Sequence, residues 1–157
     1  MVNLVGKTME QKDIKVLMAG IDSNGDQHQL SATLDLTKTV TGKQGCNLYS
    51  FTTYLSHVQI LYDGQEFPLI PSAPTYGTGK LVGNVLYAQG NPVITTAGMQ
   101  GVELSGQVEL KFSKYGKCAC GTLTLQGTIP DVFSPQPDPL LKTYVNGVAN
   151  LKMTVSN

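Results

Sequence analysis

Five side chains in this sequence have the chemistry of soft-metal ligands, nucleophiles or proton carriers: Cys46, Cys118, Cys120, His28 and His57. Together they offer the donor types that zinc prefers, yet the spacing argues against a structural zinc site. Such sites usually separate two Cys by two to four residues, whereas only Ala119 lies between Cys118 and Cys120. In an extended chain these two thiols point to one face and Ala119 to the other. The expectation is that the cysteines are small packing residues, because free Cys is among the most often buried types. A disulfide from Cys46 to Cys118 or Cys120 is the weaker alternative, and a metal site the weakest. With three thiols one stays unpaired in any case, so the count does not decide the redox compartment.

Neither His28 nor His57 lies in a motif around a Ser or Cys nucleophile. His57 alternates with Leu55 and Gln59 in a strand-like run, which suits a structural His or one lining a pocket. Glu103 and Glu109 lie six residues apart on the polar face of one strand, about 20 Å at ~3.3 Å per residue, too far for paired acid-base work.

Two further patterns resemble binding loops only in part. Asp22, Asn24 and Asp26 alternate like the first ligands of a calcium loop, but Gln27 and Thr33 stand where an EF-hand requires Gly and Glu. A hairpin turn explains them better, with Asn24-Gly25 tolerating the positive φ of a type I′ turn. In Gly77-Thr78-Gly79-Lys80 a phosphate loop would need Gly at Pro74 and Ser or Thr at Leu81. These glycines read instead as a flexible turn entering a strand at Leu81. No catalytic, cofactor-binding or metal-binding residue is assigned, and no cofactor is implied; the chain leans toward a non-enzyme.

The elements that must carry these residues are strands. The clearest runs from Val102 to Phe112, with Val102, Leu104, Val108, Leu110 and Phe112 on one face and Glu103, Ser105, Gln107, Glu109 and Lys111 on the other. Leu123, Leu125 and Ile129 repeat the alternation, so the two segments form a hairpin. Gly106 and Gly127 each interrupt an apolar face and favour a sharply bent sheet. A first hairpin covers roughly Ile14 to Leu36. Further strands are expected over Asn47 to Tyr62, closed by a turn at Asp63-Gly64, over Leu81 to Tyr87, and over Tyr144 to Val155 with a tight turn at Asn146-Gly147. Leu140 to Tyr144 reads as a single helical turn, and the Pro-rich stretches Phe67 to Pro74 and Pro130 to Pro139 as loops. The expected architecture is all-β: a single-domain antiparallel β-sandwich or curved β-barrel of about seven to nine strands over residues 1–157, with 1–12 as an N-terminal arm.

Composition limits the partners. The 157 residues include 11 basic and 11 acidic side chains for a net charge of zero, every basic one is Lys, and 14% of residues are charged against roughly 25% in typical soluble domains. Without Arg the usual fork for phosphate and guanine is missing, so no nucleic acid is expected as a partner. No apolar run approaches the ~20 residues of a membrane-spanning helix, and Met1 to Lys15 lacks the apolar core of a secretory signal, which leaves the compartment open. The function these features favour is a non-enzymatic interaction or assembly module that binds another protein chain or itself. A small barrel enclosing an apolar ligand, as a carrier or a cyclase or isomerase, is the alternative. Carbohydrate binding ranks third, since the chain has no Trp.

Overall fold

Residues that alternate between apolar and polar can satisfy both water and a core only as strands with one face buried, and most of this chain alternates in that way. The computed structural model describes residues 4–67, 74–89, 93–94, 103–113, 117–130 and 141–156. They form β1 (Thr8–Asp22), β2 (Gln27–Gly45), β3 (Leu48–Tyr62), β4 (Gln65–Phe67), β5 (Thr75–Val82), β6 (Val85–Gln89), β7 (Val93–Ile94), β8 (Glu103–Phe112), β9 (Cys118–Pro130) and β10 (Lys142–Ser156). All belong to one antiparallel sheet. Each of β1, β2, β3, β5, β6, β8, β9 and β10 pairs with the next, and β10 pairs back with β1, so the sheet closes in a ring. The short β4 extends β3, and β7 extends β8. The all-β, antiparallel reading of the sequence holds, with eight strands in the ring.

The buried faces form one contiguous apolar cluster, drawn from every ring strand: Ile14, Val16 and Met18 of β1, Leu34 and Leu36 of β2, Phe51 and Leu55 of β3, Leu86 of β6, Leu104 and Leu110 of β8, Leu123 and Leu125 of β9, and Leu151 and Met153 of β10, with Leu81 of β5. The hairpin read from Val102 to Ile129 is present as β8 and β9. Gly106 lies opposite Leu125 and Gly127 opposite Leu104, so each glycine leaves room for a leucine across the ladder.

Several turns differ from expectation. At the β1–β2 hairpin only Gly25 has positive φ (84°), and its N–H donates to the Asp22 carbonyl at 3.0 Å. The loop is therefore a type I turn followed by a left-handed glycine, one residue longer than the type I′ turn anticipated. Asp63 (φ 47°) and Gly64 (φ 84°) do form the two-residue, doubly left-handed turn between Tyr62 and Gln65. The segment Leu81–Tyr87 is two strands, because Gly83 (φ 61°) reverses the chain between Val82 and Val85. Gly77 to Lys80 lie within β5 and form no turn. There is likewise no turn at Asn146-Gly147: β10 is continuous, and a Cβ on Gly147 would come within 2.5 Å of the Leu17 carbonyl oxygen. Its glycine serves close approach of strands, a use of Gly that sequence alone does not separate from a turn. Lys142 to Tyr144 are strand, so the helical turn expected there is absent, while Leu140 lies outside the described residues. Residues 68–73 and 131–139, the bulk of the two Pro-rich stretches, also lie outside them.

Two bulges flank the middle of β2. On β1 the interval Gln11–Ile14 faces Leu36–Leu34, and on β3 the interval Ser56–Gln59 faces Asp35–Thr33, so each outer strand carries one extra residue. The extra turn falls at Asp13 (φ 55°) and at His57 (φ 49°), both left-handed and neither a glycine. Asp35 holds both: its Oδ1 accepts from the Asp13 N–H at 2.9 Å and its Oδ2 lies 3.0 Å from His57 Nδ1. Because His57 is 83% exposed on its side chain, the imidazole contact contributes little, and the backbone bond to Asp13 contributes more. Asp35→Ala is expected to cost about 1–2 kcal/mol in urea unfolding and His57→Ala less than about 0.5 kcal/mol; equal losses would contradict this division.

Candidate functional site

The inward face of β2 carries one residue out of keeping with its neighbours. Leu34, Leu36 and Val40 point into the core, and Lys38 points there with them, 1% exposed. Its Nζ donates to Thr53 Oγ1 across the β2–β3 ladder at 2.7 Å and stands 3.7 Å from the centre of the Phe51 ring. Phe51 has room there because its partner across the β3–β5 ladder is Gly77 and, two residues further along β5, Gly79 stands where a Cβ would come within 2.6 Å of the ring. Burial pushes the Lys38 ammonium down to about 7, since the core offers it a hydroxyl and a π face but little solvation. A neutral amine near pH 7 is a competent nucleophile toward carbonyls. Here it is enclosed by side chains, so its chemistry is that of a buried charge.

A second cluster gathers at the opposite end of β2. The β1–β2 turn places Asp22, the start of β2 places His28, and the β3–β4 turn places Asp63. His28 Nε2 lies 2.8 Å from Asp22 Oδ2 and His28 Nδ1 lies 2.6 Å from Asp63 Oδ2. An ionised carboxylate only accepts hydrogen bonds, so both ring nitrogens donate and the imidazole is a cation. The hydrogen bond to Asp22, then that to Asp63, raises His28 above its ordinary 6.5. The same bonds from His28 are the chief reason both carboxyls are held below the usual carboxylate range. The remaining oxygens are used as well: Asp22 Oδ1 accepts from the N–H groups of Asn24 and Asp26, and Asp63 Oδ1 accepts from the Gln29 N–H. This places Asp22 inside its own turn as an acceptor, which answers the calcium-loop pattern in favour of the hairpin. The Tyr62 ring lies 5.0 Å from the imidazole, and its hydroxyl is 2.8 Å from Thr143 Oγ1. The cluster thus ties two turns and β10 together.

His28 and Asp63 also border an open groove of about 1220 Å3 on the outer face of β1 and β2, lined by Lys15, Leu17, Ala19, Ile21 and Leu61 among others. Leu17 (68% exposed) and Ile21 (51%) project outward there. On β10 their cross-strand neighbourhood supplies Val148 (58%) and Tyr144 (61%), the latter directly opposite Ile21. An uncharged apolar stripe therefore runs along β1 and β10 beside the groove.

The thiols are placed differently from expectation. All three are free and exposed: Cys46 in the β2–β3 turn, Cys118 and Cys120 on the outer face of β9. Ala119 takes the buried position between them, so the alternation was read correctly and its inward face was misassigned. His57 lies in a bulge, largely exposed, with its Nδ1 3.0 Å from Asp35 Oδ2. Among the described residues no group of three His, Cys, Asp or Glu side chains is arranged to hold a metal. Lys38 and the Asp22–His28–Asp63 tie had no sequence motif to announce them. A lysine in register with Leu34, Leu36 and Val40 was the available signal for the first.

Two titrations follow. Below about 7 Lys38 is charged in the folded protein and its burial penalty is constant; above it the folded state sheds the proton first, so stability gains as pH rises toward 10.5. Lys38→Met keeps the volume and is expected to stabilise the protein by about 2–4 kcal/mol at acid pH, with the gain shrinking in alkali, as read by urea unfolding. A destabilised variant would show that the Thr53 and Phe51 contacts outweigh desolvation. His28 has the opposite sign: its raised value means stability that is full below 6.5 and lost as pH climbs through the folded value. In a Lys38→Met background, urea resistance should decline as pH rises above 6.5, and His28→Gln should remove that decline.

Comparison with protein-family models, with characterised proteins and with solved structures finds no match to this chain.

Proposed function

We propose that the protein is a non-enzymatic assembly module that binds a second copy of itself through the outer face of β1 and β10. The observation that carries this reading is the gathering of Leu17, Ile21, Tyr144 and Val148, four large apolar side chains more than half exposed, on adjacent strands next to an open groove. Scattered exposed hydrophobics need no explanation, but a contiguous set bordered by polar residues marks an interaction surface.

Charge supports a second copy as the occupant. Between the ends of the stripe the outward residues Ala19 and Asn146 are uncharged, while Lys15 marks one end of the groove and Asp63 the other. Lys15 and Ile21 are about 20 Å apart along β1 at ~3.3 Å per residue. A copy turned through 180° about the stripe's centre brings Lys15 of each chain to the acidic end of the other, the self-complementarity that a two-fold contact requires. An enclosed apolar ligand is disfavoured because the inward-facing side chains of all ring strands meet in one cluster.

Sedimentation velocity across a wide concentration range tests the proposal. A dimer is expected, and Leu17→Asp or Val148→Asp should shift it to monomer by at least tenfold in dissociation constant, since each places a carboxylate in the apolar seam. Val82→Asp, at a residue 55% exposed on β5 away from the stripe, should leave association unchanged. A wild-type protein that stays monomeric at its solubility limit overturns the reading.

A further inference from the structure

Cys118 and Cys120 share the outward face of β9, and the ladder fixes what stands beside them. Cys120 is directly opposite Lys111 on β8 and Lys152 on β10, both exposed, while Cys118 is opposite Thr154 on β10. Cys120 therefore lies between two lysines on neighbouring strands, with a second cysteine two residues away on the same face. Beside β10 the surface dips into a recess of about 440 Å3 lined by Lys152 and Thr154, the cross-strand neighbours of the two thiols, and by Glu10, Gln11, Lys12 and Ser156. The one carboxylate in that lining, Glu10, is 3.9 Å from Lys12.

We infer that the Cys118–Cys120 face is a site of reversible S-thiolation by small disulfides that carry carboxylates. In the step, the Cys120 thiol gives its proton to solvent and the thiolate sulfur attacks one sulfur of the reagent. The reagent's S–S bond breaks, a Cys120–reagent disulfide forms, and the other half leaves as a thiolate that takes up a proton. Cysteine is oxidised and half of the reagent is reduced. Lys111 and Lys152 attract the carboxylates to the attacking sulfur, and the recess holds the bound half.

Cys118 does not displace the adduct by forming an internal disulfide. Residues i and i+2 of a strand are about 6.6 Å apart with their Cβ atoms pointing the same way, beyond the ~3.5–4.5 Å between Cβ atoms that a disulfide needs. The adduct then persists until an external thiol reverses it. Cys46 is an internal reference: it is exposed in the β2–β3 turn, and the nearby Lys43 ammonium stands over the Tyr49 ring at 5.9 Å.

The test is to expose the full chain to oxidised glutathione and follow adducts by intact mass and peptide mapping, with neutral 2-hydroxyethyl disulfide run in parallel. The β9 thiols should react severalfold faster than Cys46 with the anionic reagent, and the preference should fade in high salt. Lys111→Gln and Lys152→Gln should each slow the anionic reaction by about threefold and leave the neutral one unchanged. Equal rates at Cys46 and the β9 thiols, or lysine substitutions that slow both reagents alike, overturn the inference.

Discussion

Closure of the sheet depends on β2, which is hydrogen-bonded along most of its length to β1 on one side and to β3 on the other. A ring has no free edge to expose, so the strand that joins its first and third members has to follow the curvature of both. The two bulges are how it does so. By adding one residue to β1 at Asp13 and one to β3 at His57, they increase the local bend of the neighbours while β2 remains alternating from Leu30 to Val40. Asp35, on the outward face between them, supplies the acceptor that a left-handed aspartate at position 13 needs. Each bulge also exchanges the faces of its strand: Leu55 is buried before His57, and Ile60 after it.

The size of the interior follows from the same closure, and glycines trim it. Gly79 admits the Phe51 ring and Gly147 lets β10 approach β1. These cut-outs make room for side chains of the neighbouring strands, Phe51 of β3 beside Gly79 and Met18 of β1 beside Gly147, within one cluster of buried apolar residues. On the outside of the ring the apolar stripe and its groove lie on β1, β2 and β10 and the thiol pair on β9.

Much of this was legible in the sequence, in proportion to how strictly residues followed a period of two. The β8–β9 hairpin was clear because leucines, valine and phenylalanine alternate with charged and amide side chains. The break between β5 and β6 was hidden because Val82, Gly83, Asn84 and Val85 give no alternation to interrupt. The bulges were hidden because a one-residue insertion is a question of register with a distant strand, and neither Asp13 nor His57 is a residue that advertises positive φ as glycine does. Cys118 and Cys120 were placed on one face correctly but on the wrong side, since a small thiol suits either face and only the burial of Ala119 decides between them. Leu17 and Ile21 were similarly ambiguous, standing in a run where Ile14, Val16 and Met18 were equally apolar. The tie at His28 joins residues 35 positions apart, a distance that no local pattern encodes.

The two titrating groups of β2 also have to be considered together. Lys38 and His28 are ten residues apart on one strand, and their contributions to stability change with pH in opposite directions. The Lys38 gain begins above about pH 7, and the His28 loss begins above 6.5 and is complete once pH has passed its raised value, so where the two ranges overlap they offset one another in the global unfolding energy. They do not offset one another locally. Loss of the His28 proton leaves two carboxylates, Asp22 and Asp63, facing a neutral ring that can donate to only one of them, and the β1–β2 and β3–β4 turns lose their shared cation. Lys38, in contrast, changes charge inside a core where β2 is laddered to β1 on one side and to β3 on the other. In alkali, then, the core gains stability while the tie between the turns beside the groove weakens, and the region that loosens first is the one that borders the apolar stripe.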